Sequence, residues 1–164
     1  MKKPFPILVF ILMVSFYFSS CGGGTDSKSP AADTSNVNKS GETDAEVYDP
    51  KRGEGEFSAD NVKISDQLDK TLATAGESNF GVKCSSCHKL TDEKLVGPGW
   101  KGVTTRHTPY WIMNFITNPD PMINKDPAAQ AMLEECLVRM PNQSLSDADA
   151  RDIFEFMRKN DGVK

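Results

Sequence analysis

Cys84-Ser85-Ser86-Cys87-His88 is the stretch from which this chain is best read. Two thiols three positions apart project from one side of a helical turn. Each can add to one vinyl group of a porphyrin, and CxxCH is the attachment signature for a c-type haem. The adjacent His88 then sits over the iron as its proximal ligand, bound through a neutral imidazole. With four Cys and two His in 164 residues, a chance CxxCH has odds on the order of one in a thousand. The competing readings are a disulfide, a zinc half-site and a thioredoxin-like dithiol. Zinc needs four ligands, and only Cys136, His107 and carboxylates remain to complete a set. A redox CxxC needs a surrounding βαβ pattern, which the chain lacks.

Upstream of the pentapeptide, Ser65 is placed to cap a helix starting near Asp66. Leu68, Leu72 and Ala75 follow along one face of it. Gly76 interrupts that pattern. An interior glycine costs roughly 1 kcal/mol against alanine, so close approach of another helix is its expected reason. Phe80 then leads into Cys84.

Downstream, Leu95-Val96-Gly97-Pro98-Gly99-Trp100 reads as a loop. Thr108 caps the next expected helix, with Pro109 at its first position. Ile112, Phe115 and Ile116 form its apolar stripe and Pro119 ends it. Asp126-Pro127 repeats the start signal, and Ala129, Leu133, Cys136 and Leu137 share a face. Met140-Pro141-Asn142-Gln143 is a loop. Ser146 and Asp149 form a capping-box-like start. Ala150, Ile153, Phe154 and Met157 mark the buried side of the last helix, with Phe156 beside them. No alternating strand pattern appears. The expectation is an all-α domain over residues 66–164, with about four helices and long loops packed around one covalent haem.

The N-terminal third differs in composition. Met1-Lys2-Lys3 and the apolar run Ile7–Val14 read as a signal peptide over residues 1–20. The run is too short for a bilayer, which takes about 20 residues. Phe18-Ser19-Ser20-Cys21 resembles a bacterial lipoprotein cleavage site, which implies lipidation of Cys21. Residues 21–65 are rich in Gly, Ser, Asp, Glu, Lys, Asn and Thr, with few large apolar side chains. Such a stretch buries too little to offset chain entropy. It is expected to be a disordered linker with a root-mean-square reach of roughly 35–40 Å. Net charge is −4, of which residues 22–66 carry −5 and residues 67–164 only −1. That balance excludes nucleic acid as an expected partner.

Taken together, residues 66–160 resemble a class I, mono-haem cytochrome c, in the form of a bacterial lipoprotein. The elements come in the family's order: Gly76 and Phe80, CxxCH, Gly97-Pro98, Met140-Pro141, then Leu145-Ser146-Asp147 before an aromatic helix with Phe156. The resemblance implies Met140 as the sixth iron ligand, the Pro98 carbonyl as partner of the His88 ring, and Arg106 near a haem propionate. Met113, Met132 and Met157 fall in expected helices and read as core. Met122, flanked by Pro121 and Ile123, is the competing thioether. His107 reads as a surface or propionate-side residue, and Cys136 as a buried, inert thiol. Trp100, Tyr110 and Trp111 are expected to pack around the porphyrin or the core.

The function implied is one-electron transfer by a six-coordinate haem c, without catalysis. The protein would be exported to the cell envelope or periplasm, lipid-anchored to a membrane and monomeric. A quinol-oxidising complex would be its donor, and a terminal oxidase or a reductase such as nitrous oxide reductase its acceptor. The rival readings are a haem enzyme or gas-binding protein with a displaceable sixth ligand, and a sensory or structural haem lipoprotein.

Overall fold

Asp69 opens the first helix. Its carboxylate accepts the backbone N–H groups of Thr71 and Leu72 at 3.0 and 3.1 Å, capping α1 (Lys70–Lys83). The computed structural model describes residues 48–164, and among them are six helices. The expected signal peptide, Cys21 and the linker as far as residue 47 lie outside the described residues.

The helix start expected near Asp66 is prevented by two distant side chains. A helix from there would need the Ser65 carbonyl to accept from the Asp69 N–H. Arg158 instead donates to the Ser65 and Asp66 carbonyls at 2.7 and 3.0 Å, while the Asp69 N–H goes to Glu155 at 3.3 Å. The buried face also differs. Ala73 and Gly76 are buried, Leu72 and Phe80 are partly so, and Ala75 is exposed. Gly76 does not break α1; it sets the line along which α1 meets the last helix, and residues three before and four after it share that side. Phe80 packs against Trp100 and Phe156, with ring centroids 4.7 and 5.5 Å apart.

Four shorter helices follow the loop. The single turn α2 (Val103–Arg106) is capped from outside: Asp161 accepts the N–H groups of Gly102 and Thr104 at 2.6 and 2.9 Å. α3 (Pro109–Thr117) starts as expected, with Thr108 accepting from Trp111 N–H. Pro119 ends α3 but also begins α4 (Pro119–Lys125), which was expected to be loop. Both effects have one cause, because proline lacks an N–H and has a φ suited to a first helical turn. α5 (Pro127–Cys136) is capped by Asp126. Leu137, expected on its buried face, is 84% exposed. It sits past the helix end in the left-handed conformation, φ 59°. α6 (Asp147–Asn160) carries the expected capping box between Ser146 and Asp149 and buries Ala150, Ile153, Phe154, Phe156 and Met157. The α1–α6 contact is the most extensive between helices.

Residues 48–64, assigned to the linker by composition, belong to the folded unit. Asn114 holds them: its Oδ1 accepts the Phe57 N–H at 2.9 Å, and its Nδ2 donates to the Phe57 and Arg52 carbonyls at 3.0 Å each. Phe57 and Val62 are buried. The Tyr48 phenol donates to Asp126, and the Thr108 hydroxyl to the Lys51 carbonyl. The stretch is polar on average, yet Phe57 and Val62 are buried, Tyr48 and Ile64 are partly so, and its backbone is paired by side chains of α3 and its cap. Burial is thus supplied by the domain, which a local average of composition does not register.

Candidate functional site

The pentapeptide continues the turn of α1. The Cys84 and Ser85 N–H groups both donate to the Phe80 carbonyl, and those of Cys87 and His88 to the Cys84 carbonyl at 3.0 Å each. This turn brings both thiols to the wall of one cavity. No disulfide joins Cys84, Cys87 or Cys136. Burial pushes the Cys84 thiol up to about 11.

The His88 ring is fixed from two sides. Its Nδ1 lies 2.9 Å from the Pro98 carbonyl oxygen; an oxygen acceptor there makes Nδ1 the donor and leaves the Nε2 lone pair for a metal. Gly97 lies flat on the ring, where a Cβ would stand 2.4 Å from Cε1. The loop is itself pinned, since the Val96 and Gly97 N–H groups donate to the Cys87 carbonyl at 3.2 and 2.9 Å. Burial lowers the imidazole's proton affinity, opposed by the Pro98 hydrogen bond, so the ring is held in its neutral, ligating form.

The cavity measures about 580 Å³, within the roughly 300–1,000 Å³ of cofactor sites. Cys84, Cys87 and His88 form one part of its wall, Met140 and Pro141 another. Trp111, Ile112, Phe115 and Ile116 of α3 and Ile153 and Met157 of α6 line it too. A smaller cavity of about 80 Å³ shares Cys87, His88, Met132 and Met140 with it. Among the described residues no three His, Cys, Asp or Glu side chains converge to hold a bare metal ion. The His88 imidazole and the Met140 thioether are too few for such an ion, but suit an iron that brings four porphyrin nitrogens. Two thiols beside the imidazole and a largely apolar wall complete the fit to a covalent haem.

The other expected site residues fall as follows. Met122 is not in a loop but in α4, and it is fully buried. Its sulfur accepts the Glu54 N–H at 2.9 Å and packs on Gly53, and it lines neither cavity. Met132 and Met157 line the large cavity as well as packing the core. Arg106 lies at the cavity wall and donates to the Lys101 carbonyl at 2.7 Å. His107 is half-buried and stacks on Trp111, centroids 3.9 Å apart and planes at 16°. Trp100 and Trp111 are buried cavity-wall residues, whereas Tyr110 is half-buried. Cys136, expected to be buried, is half-buried at the smaller cavity. Its thiol is raised chiefly by burial.

Three residues that position this wall were not identified from sequence in that role. Asp126 accepts from the Trp111 indole N–H at 3.0 Å as well as capping α5. Asp161 fastens α2, and Asn114 the 48–64 segment. A polar Asn inside an apolar helix stripe was a usable signal; Asp161 left none.

The family model described as Cytochrome c matches residues 73–161. No curated protein is a significant match. Among solved structures, a cytochrome c from Rhodothermus marinus is 35% identical, with 64% of this chain and 90% of that one covered and a TM-score of 0.60. An engineered form of the Rhodothermus marinus protein matches at 34% identity over the same shares, TM-score 0.60. That engineered form bound to a carbene intermediate matches at 34% with a TM-score of 0.57.

Proposed function

The chain belongs to the cytochrome c family, and from that premise we propose that it is a one-electron carrier whose haem c is bonded to Cys84 and Cys87 and ligated by His88 and Met140. The observation that carries this reading is the pairing at one cavity of a His88 ring oriented by Pro98 with the Met140 thioether. Haem c supplies an iron that passes between ferric and ferrous states. The chain's own residues do the rest. Gly97 and Pro98 hold the imidazole. Trp111, Phe115, Ile153 and Met157 exclude water from the cavity, which limits solvent reorganisation around a changing charge. With His88 and Met140 both serving as ligands, a bound haem would offer no open position to a substrate, which favours electron transfer.

We assign the protein to the cell envelope, exported by the segment 1–20, anchored through lipid on Cys21 and acting as a monomer. Among the described residues no helix is long and apolar enough to cross a membrane. A quinol-oxidising complex as donor, and a terminal oxidase or nitrous oxide reductase as acceptor, fit a carrier held near a membrane.

The test is the mature protein from a host competent in haem attachment. Its mass should exceed the polypeptide by one haem, and a redox titration should give one reversible one-electron couple. A haem-free mass, or a ferrous form that is five-coordinate and binds carbon monoxide rapidly, would overturn the assignment.

A further inference from the structure

His107 is the one histidine outside the pentapeptide, and it lines the same cavity as His88 and Met140. Its ring is held by the stack on Trp111. Among the described residues no group hydrogen-bonds its nitrogens, and no buried side-chain nitrogen lacks a partner. Both ring nitrogens therefore meet solvent or the cavity. The charges acting on it are Arg106, on its own turn, and Asp126, from the start of α5. The Arg106 guanidinium is engaged with the Lys101 carbonyl. Asp126, 1% exposed, accepts from Trp111, Tyr48 and the Ala129 N–H. From the 48–64 segment, the Tyr48 phenol donates to Asp126, and the Lys51 and Arg52 carbonyls accept from Thr108 and Asn114, while Asp161 closes the other end of α2. His107 is thus the group at the cavity wall able to change charge near neutrality.

Resting on the carrier reading above, we propose that His107 is a redox-linked proton site, which binds a proton when the haem iron is reduced and releases it on oxidation. The balance is simple. The donor delivers one electron to the iron, and a solvent hydronium ion gives one proton to a ring nitrogen, so that one O–H bond breaks as one N–H bond forms. On oxidation the electron leaves to the acceptor and the proton returns to water. The driving force is electrostatic. The added electron makes the cavity one unit more negative, and in a partly desolvated site that favours an imidazolium more strongly than it would in water. Burial, with Arg106 acting in the same sense and Asp126 against, holds the ring below its ordinary value. Reduction raises the affinity, so the reduction potential should fall with rising pH between the ferric and ferrous pKa values and be level outside them.

The test is a potential–pH titration of the holoprotein from about pH 4.5 to 8, with the His107 ring protons followed by NMR in each redox state. The expected results are a higher His107 pKa in the ferrous form and a sloping potential that flattens in His107→Gln, whose visible spectrum stays that of wild type. Equal His107 pKa values in the two states, or a slope unchanged in His107→Gln, would overturn the assignment of the proton to His107 while leaving the carrier reading intact. The wild-type NMR comparison decides the matter even if the variant folds poorly. Loss of the carrier reading would show differently, as the lack of any reversible couple in the wild type.

Discussion

A Cβ on Gly76 would stand 2.1 Å from the carbonyl oxygen of Asp152, so α1 and α6 meet backbone to backbone. The neighbour is backbone and cannot swing aside. Gly76→Ala would gain roughly 1 kcal/mol of helix propensity but force the helices apart. We expect a net loss of about 1–3 kcal/mol, the usual range for overpacking, read as a lower urea midpoint with an unchanged slope.

Met140→Ala and Met122→Ala should part cleanly. The first removes the thioether at the cavity, so the methionine–iron charge-transfer band disappears and the potential drops. The second empties a fully buried site packed on Gly53 and should cost about 2–5 kcal/mol with the band retained. Visible spectra and denaturation of both variants check this. A band that survives Met140→Ala and vanishes in Met122→Ala would reverse the ligand assignment.

Asn114→Ala would strand the buried Phe57 N–H and carbonyl. Each stranded buried group costs about 1–3 kcal/mol, so we expect a loss of at least about 2 kcal/mol. Amide exchange at Phe57 should quicken before that of α6, since the 48–64 segment would open locally. A chain begun at residue 66 should be less stable than one begun at residue 48. Equal stability of the two would remove that segment from the folded unit.

Asp149 makes part of the fold's stability acid-sensitive. The Ser146 hydroxyl and backbone N–H donate to its carboxylate and hold its pKa below the ordinary carboxylate value. A depressed folded pKa adds stability above the unfolded value, and that stability is lost as pH falls through the folded one. The window lies around and below about pH 4. Ser146→Ala should therefore cost about 1 kcal/mol at pH 7 and less at pH 3, and Asp149→Asn should blunt the acid limb. Thermal melts across that range would check both.

The helix starts at Pro109, Pro127 and Asp147 were legible because their caps are local: Thr108, Asp126 and Ser146 each act within three residues. The start of α1 was misplaced because Arg158 and Glu155 claim groups some 90 positions away in the chain. The α4 turn was hidden because Pro119 read as an end and was also a beginning. Leu137 was placed on a face by periodicity, one residue beyond the point where the helix stops.

Sequence alone pointed to the covalent haem, to the histidine proposed to ligate it and to the loop beside that histidine. The reason is proximity: Cys84, Cys87 and His88 lie within five residues, and Pro98 meets the His88 ring across only ten. Tertiary structure decided that Met122 is packed away from the cavity that Met140 lines, that residues 48–64 are part of the domain, and that His107 lines the cavity. Those outcomes depend on contacts such as Phe57 with Asn114 and Gly102 with Asp161, 57 and 59 residues apart. Packing brings such partners together only when the whole chain has folded, and no local pattern encodes which of them will meet.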